Sequence, residues 1–326
     1  VRKVLLDRPL HEEAMKKLSE STQLIEVYDF DFERLREEIK NADGVICSAA
    51  FKIGRQEIAS AANLRVIGRP GVGYDNVDIK AATEAGIPVV YVPDGPTESV
   101  AEHVTCFMFM LAKKIRVVEG ALRERGDFGI RSKVTGIELF GKNMGIIGAG
   151  RIGKRVAEIA KRAFSMKIII YDPFVKDLGD FLDGDYELTY ELESLLKRAD
   201  VISVHIPLNK ETEGFIGREQ FEMMKRTAIF INTSRGRVVK ERDLIDVLRE
   251  GRIWGAGLDV FEKEPPDPDN PLFELDNVVV TPHLSSFTDG GKLKMGMGVV
   301  KGVLDVFEGR FPEYIVNPEV WEKRRR

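Results

Sequence analysis

The chain has little sulfur, no surplus of positive charge and no long apolar run, and each shortage narrows what it can be. Two cysteines in 326 residues, Cys47 and Cys106, cannot build a disulfide framework. Both lie in apolar surroundings and read as buried free thiols of a reducing cytoplasm. A formal net charge of −4 leaves no electrostatic footprint for nucleic acid or for an anionic membrane. No apolar run approaches the ~18 residues of a membrane span. The chain opens on a strand-like Val4-Leu5-Leu6 without a charged-then-apolar leader, so a cytoplasmic location is expected. No solenoid repeat and no low-complexity tract is present, and no metal is expected. What remains is globular: 43% apolar and 31% charged residues, over a length that suggests two domains, each able to bury a core.

Glycine, by contrast, is plentiful. Gly148-Ala149-Gly150-Arg151-Ile152-Gly153 carries it in the spacing G-x-G-x-x-G, which among 30 glycines is weak by itself. Its context is specific. Met144 to Ile147 reads as a buried strand, and Lys154 to Ala163 as a helix with apolar positions every three or four residues. Lys167 to Tyr171 reads as a second strand, ending at Asp172. A βαβ unit with an acid about 20 residues past the glycines is the dinucleotide fingerprint. Gly148 permits the tight turn, Gly150 lets the backbone approach a pyrophosphate, and Gly153 lets helix and strand pack closely. The helix N-terminus offers unpaired N–H groups to the phosphates. Asp172 can accept from both ribose hydroxyls and would repel a 2′-phosphate, so the expected cofactor is NAD rather than NADP.

Strand and helix patterns alternate on both sides of this unit. Lys3 to Leu6, Gln23 to Tyr28, Gly44 to Ser48 and Arg65 to Ile67 read as strands, with helices at His11 to Ser19, Phe32 to Ile39 and Gln56 to Ala62. That alternation predicts an α/β protein with a mostly parallel sheet. Gly71-Val72-Gly73 follows a strand end, where ligands of such sheets collect. The amides of Val72 and Gly73 can form a small anion nest for a carboxylate, and from this segment alone an ordinary tight turn explains the glycines equally well. One long helix is expected from Glu98 to about Arg125, buried around Cys106 to Ala112, with His103 structural. Further strands end in His205, in Thr233-Ser234-Arg235, in Asp259 and in Thr281-Pro282-His283. Polar groups at several successive strand ends are more than turns require.

Three of these residues suit acid–base work at a hydroxyl carbon. His283 titrates near neutrality by residue type and is the natural general acid and base. Glu264 can accept a hydrogen bond from the imidazole and favour its cationic form. Arg235 can fork onto a substrate carboxylate and polarise a carbonyl. Spacing alone does not select them, and a Thr-Pro-His at a strand end is as readily structural.

In order, the chain carries Gly71-Val72-Gly73-Tyr74-Asp75-Asn76-Val77-Asp78, Gly148 to Gly153, Tyr171-Asp172-Pro173 and His205-Ile206-Pro207-Leu208. It continues with Asn232-Thr233-Ser234-Arg235-Gly236, Gly257-Leu258-Asp259-Val260-Phe261, Glu264-Pro265, Thr281-Pro282-His283 and Val316-Asn317-Pro318. This series resembles the D-isomer-specific 2-hydroxyacid dehydrogenases, the group of D-3-phosphoglycerate dehydrogenase and glyoxylate or hydroxypyruvate reductase. The resemblance implies two Rossmann-like, doubly wound parallel-sheet domains. The substrate domain would be discontinuous, residues 1–98 and 285–326, around an NAD-binding domain of 99–284. It implies catalysis by Arg235, Glu264 and His283, and cofactor contacts at Arg151, Ile152, Asp172, Ile206, Thr233 and Asp259, the last near the nicotinamide amide. A homodimer is expected, and a short form without a regulatory domain, so no serine feedback.

The expected function is reversible hydride transfer between NADH and a small 2-oxo acid, with Val72, Gly73 and Arg235 holding the carboxylate. Phosphoglycerate dehydrogenase proper and an NAD-sensing, corepressor-like scaffold are the alternatives. Two departures matter. Near Ser48, where the resemblance places a phosphate-gripping arginine, Ser48-Ala49-Ala50-Phe51 offers no cation, although Lys52 and Arg55 are close in sequence. Gly290-Gly291 stands where the family has helix formers, so the last helix is expected only from Lys292 to Phe307. The tail Glu322 to Arg326 reads as a solvated charged end.

Overall fold

A computed structural model describes residues 1–29 and 31–325, so Arg326 of the charged tail lies outside the described residues. The chain forms two compact units, Val1–Thr97 with Ser286–Arg326, and Glu98–Ser285. Each is an α/β layer structure on an all-parallel sheet.

In the first unit β1 (Arg2–Leu6), β2 (Thr22–Glu26), β3 (Gly44–Ile46), β4 (Val66–Arg69) and β5 (Val89–Tyr91) lie in the order β2-β1-β3-β4-β5. Successive side chains of a strand point to opposite faces, so a sheet covered on both sides needs near-continuous apolar strands. Leu5, Val45, Ile67 and Val89 join Phe51 and Leu64 on one face. Val4, Leu6, Ile46, Val66 and Val90 meet Val299, Val300 and Val303 of helix Asp289–Phe307 on the other.

That helix begins three residues earlier than expected. Thr288 caps it by accepting from the Gly291 N–H at 3.0 Å, which satisfies an otherwise orphaned donor. The glycines of this helix serve close packing: a Cβ on Gly296 would lie 2.9 Å from that of Ala14. The segment beyond the helix packs on β5. Val316 donates to the Val89 carbonyl at 2.8 Å, and the Asn317 side chain accepts from the Val89 amide at 2.9 Å.

In the second unit β6 (Asn143–Ile147), β7 (Lys167–Tyr171), β8 (Glu187–Thr189), β9 (Val201–Val204), β10 (Ile229–Asn232), β11 (Gly255–Leu258) and β12 (Val278–Val280) form a seven-stranded sheet, order β12-β11-β10-β9-β6-β7-β8. The direction of winding reverses between β6 and β9, the place where such sheets open a crevice for ligands.

The expected long helix is two, Thr97–Ala112 and Ile115–Arg125, with Lys114 between them in the left-handed region at φ 52°. The cause is competition for carbonyls. Trp254 Nε1 donates to Leu111 O at 2.9 Å and the Ile137 amide to Ala112 O at 2.7 Å. Both acceptors would otherwise continue the helix. Cys106 also departs from expectation: it is exposed, whereas Cys47 is fully buried. Helix Thr97–Ala112 sends Val104, Phe107, Met108 and Leu111 into the core. Cys106 and Phe109, three residues apart on the other face, point outward.

Candidate active site

Because all strands of the second sheet are parallel, their carboxyl ends share one edge, and the polar strand ends noted in the sequence gather there. The turn after β6 is built as its glycines require. Gly148 has φ 102°, and a Cβ on it would lie 2.6 Å from the His205 carbonyl oxygen. A Cβ on Gly153 would sit 2.1 Å from Gly148 O, so any side chain there pushes helix Arg151–Phe164 off the strand. Around Gly150, the N-cap of that helix, the space is open: a Cβ would meet nothing within 4 Å. This is room for a ligand that approaches the backbone, at a helix N-terminus. Arg151 and Ile152 are its first residues, exposed and half-buried respectively.

Asp172 follows β7 and faces this turn. Its carboxylate accepts from the Ala149 amide at 2.9 Å and the Phe174 amide at 3.0 Å. A carboxylate has about four acceptor sites, so two remain for hydroxyls. Ile206 is half-buried past β9. Thr233 is 8% exposed, and its buried Oγ1 has no hydrogen-bond partner among the described residues. An orphaned buried hydroxyl is uncommon, and a polar ligand would satisfy it. The open space at Gly150, the free acceptor capacity of Asp172 and the Thr233 hydroxyl together fit a dinucleotide.

The three acid–base candidates sit at the ends of β10 to β12. His283 Nδ1 and Glu264 Oε2 are 2.8 Å apart, and the other Glu264 oxygen accepts from the Phe261 amide at 3.1 Å. Burial alone would raise the Glu264 carboxyl. The bond and charge of His283, the Phe261 amide and the Arg235 charge outweigh it, and the net shift is downward. Glu264 is therefore a carboxylate that orients the ring, which leaves His283 Nε2 as the outward nitrogen. Arg235 Nη1 donates to Ser234 O at 2.7 Å, and its own carbonyl accepts from Asn232 Nδ2 at 2.9 Å. Asn232 thus ties down the turn that carries the arginine.

His283 itself has φ 52°, a conformation a histidine holds only when its surroundings impose it. Asp259 imposes it. Its carbonyl accepts from the His283 amide at 2.8 Å. Its fully buried carboxylate accepts from Thr281 Oγ1 at 2.6 Å and from the Leu284 and Ser285 amides at 2.9 Å each. Thr281 Oγ1 is also 3.0 Å from His103 Nε2. Since the threonine proton goes to Asp259, that imidazole nitrogen carries the proton and donates. Burial lowers the His103 pKa, and the Asp259 charge only partly opposes this. The His103–Thr281–Asp259 chain was not legible in the sequence. His205, which ends β9, is pushed down to about 3 by burial and lies 2.8 Å from Ser203 Oγ. It is a neutral packing group.

In the first unit Val72 and Gly73 lie in the loop after β4. Neither amide donates to an acceptor among the described residues, as an anion nest requires. Arg69 braces this loop by donating to Gly73 O at 3.1 Å. The two cations close to Ser48 in sequence divide. Arg55 is paired with Glu84 at 2.8 Å, and Lys52 is exposed. The Ser48 amide instead donates to both oxygens of Asp7.

Comparison with known proteins follows the same lines. Residues 105–285 match the family model of the D-isomer specific 2-hydroxyacid dehydrogenase NAD binding domain. The chain is 43% identical over 316 residues to a D-3-phosphoglycerate dehydrogenase of Methanocaldococcus jannaschii, covering 97% of this chain and 59% of that one. It is 38% identical over 294 residues to a glyoxylate reductase of Korarchaeum cryptofilum, covering 88% and 86%. A D-lactate dehydrogenase of Aquifex aeolicus, solved with NAD and lactic acid, superposes with a TM-score of 0.86 at 30% identity, over 96% of this chain and 98% of that one. The chain thus spans about three-fifths of the length of the phosphoglycerate dehydrogenase it matches.

Proposed function

The chain belongs to the D-isomer-specific 2-hydroxyacid dehydrogenase family, and from that premise we propose that it interconverts a small 2-oxo acid and its 2-hydroxy acid with NADH as the reductant. The observation that carries the reading is the 2.8 Å contact of His283 Nδ1 with an ionised Glu264, beside the charge of Arg235.

A bound nicotinamide dinucleotide would supply the hydride. The amides at the N-terminus of helix Arg151–Phe164, with Arg151 and Ile152, hold its pyrophosphate. Asp172 accepts from the ribose hydroxyls, and its charge selects NADH over NADPH. Ile206 and Thr233 complete the cofactor contacts, and Asp259, expected among them, is fully buried with its carboxylate spent on Thr281, Leu284 and Ser285, so that it acts by holding the turn of His283. Arg235 is suited to fork onto the substrate carboxylate, and in the first unit the amides of Val72 and Gly73 form an anion nest of the kind that binds one. His283 donates the proton that neutralises the forming alkoxide and takes it back in the oxidation direction. Glu264 stabilises the imidazolium and fixes the ring. Residues 99–284 are the cofactor domain in this reading, and 1–98 with 285–326 the substrate domain.

The protein acts in the cytoplasm as a homodimer. Support for self-association comes from Ile115, Leu122, Phe128 and Phe140, large apolar side chains that are 42 to 67% exposed within one stretch of the second unit. No helix among the described residues is long and apolar enough to cross a membrane.

The test is loss of NADH absorbance with glyoxylate, hydroxypyruvate, phosphohydroxypyruvate, pyruvate and a branched 2-oxo acid, with NADPH as the control. Turnover of at least one acid, faster with NADH, is expected. Tight NADH binding without turnover of any of them would overturn the reading.

A further inference from the structure

Helix Thr97–Ala112 lies along β11, and the two elements meet in matching steps. Every second residue of a strand shares a face, which groups Gly255, Gly257 and, just past the strand end, Asp259. Every fourth residue of a helix shares a face, which groups Leu111, Phe107 and His103 in the opposite direction. A Cβ on Gly255 would lie 3.1 Å from Leu111 Cδ2, and one on Gly257 would lie 2.8 Å from Phe107 Cδ2. His103 Nε2 is 4.0 Å from Asp259 Oδ1. Four helical residues rise about 6 Å and two strand residues about 6.6 Å, so the three contacts keep step.

The two glycines let the helix come this close, and Trp254 Nε1 pins it by donating to Leu111 O at 2.9 Å. His103 is thereby seated over the end of β11. Its ring stands edge-on to Phe107 with centroids 4.5 Å apart, and its Nε2–H donates to Thr281 Oγ1 at 3.0 Å. Thr281 passes its own proton to Asp259 Oδ1 at 2.6 Å, and the same oxygen accepts from the Leu284 amide at 2.9 Å. The chain of bonds therefore runs from the helix through Thr281 and Asp259 to the residue after His283. Packing alone would ask only for an apolar side chain at 103. A half-buried donor is costly unless it is used, and here it is spent on the turn that holds His283 at φ 52°.

We propose that His103 is a positioning residue for His283: by donating to Thr281 it fixes the Thr281–Asp259 bond, and with it the left-handed turn that aims the His283 ring. The proposal rests on the part given to His283 in the reading above. His103 acts through the turn and touches neither substrate nor cofactor in this role. Loss of its donor misplaces the proton donor and leaves the binding groups where they are. The cost therefore falls on kcat and not on KM.

The experiment compares His103→Leu, which has neither ring nor donor, with His103→Gln, which loses the ring and keeps an N–H near the place of Nε2. In one arm kcat and KM are measured with the fastest of the 2-oxo acids above, and NADH affinity by fluorescence titration. His103→Leu lowers kcat by about tenfold or more, with KM and NADH affinity at their wild-type values, and His103→Gln recovers most of the loss. In the other arm the chain's four histidines carry carbon-13 at Cε1, and the NADH-loaded protein is followed by NMR. The His283 signal, identified by its absence in His283→Ala, moves in His103→Leu and returns toward wild type in His103→Gln. Both variants lack the ring, so only the donor separates them. Should His103→Leu not fold, Thr281→Val removes the middle hydroxyl at nearly constant shape and is expected to show the same loss in kcat. A wild-type kcat in the variant without the donor overturns the proposal, as does an equal loss in Leu and Gln, or a loss that tracks KM or NADH affinity. Should no 2-oxo acid be turned over, the dehydrogenase reading falls separately, and the NMR arm still decides on His103: an unmoved His283 signal overturns its role.

Discussion

The carboxyl edge of the seven-stranded sheet ends in groups already paired with one another, whereas the edge of the five-stranded sheet ends in a guanidinium, that of Arg8, with no hydrogen-bond or ion-pair partner among the described residues. At the first, His283 rests on Glu264 and its backbone on Asp259. At the second, Arg69 is braced by carbonyls and Arg8 is left over. Groups that must hold one geometry through a reaction are oriented in advance by their neighbours. A group that only recognises a ligand can keep its donors unspent until the ligand arrives. The same architecture thus carries a prearranged set of side chains at one edge and unspent donors at the other.

The comparison breaks most visibly at the paired edge. His283→Ala is expected to lower turnover by about 10²- to 10⁴-fold, the usual worth of a positioned proton donor. Activity within a few-fold of wild type in steady-state assays would remove His283 from the mechanism. Gly150→Ala comes next. A Cβ there meets no protein atom within 4 Å, so Tm should be unchanged while NADH affinity, read by fluorescence titration, falls about tenfold with the lost phosphate contact. A fall in Tm with full NADH affinity would mean the space serves packing.

The smallest effect is on pH. The Glu264 carboxyl is held below its ordinary 4.5. A carboxylate with a depressed folded pKa contributes stability that is present above the unfolded value and lost as pH falls through the folded one. Glu264→Gln should therefore melt below wild type at pH 6, and the gap should close only below pH 4.5 in a Tm series. A gap that closes already near pH 6 would show the pair is not formed with an ionised Glu264.

What was legible in the sequence was mostly local. The turn Gly148 to Gly153 announces itself because the positive φ of Gly148 and the contact of Gly153 with Gly148 O act within six residues, although Gly148 also abuts the distant His205. The periodicity of Lys154 to Ala163 and the strand Val278 to Val280 are equally self-contained. Features set by distant partners were not. His103 reads as structural, and its contact with Thr281, 178 residues away, leaves no local mark in the sequence. The break at Lys114 is set by Trp254, and no glycine or proline marks it. Cys106 looked buried because its neighbours are apolar, although its face of the helix points out. The glycines at 290 and 291 looked like a helix breaker, and the Thr288 cap overrides them.

The hydrogen bonds of Val316 and Asn317 to Val89 have a consequence for biosynthesis. β5 is the outer strand of its sheet, and an uncovered outer strand invites pairing with other chains. The residue that covers it lies 228 positions further along. A ribosome makes β1 to β5 first, then the whole of Glu98–Ser285, and only afterwards helix Asp289–Phe307 and the residues that seal β5. Throughout that interval one apolar face of the first sheet is covered only by Ala14 and Leu18 of helix Glu12–Ser19 and the β5 edge is open, and the second unit, continuous in sequence, is free to fold before it.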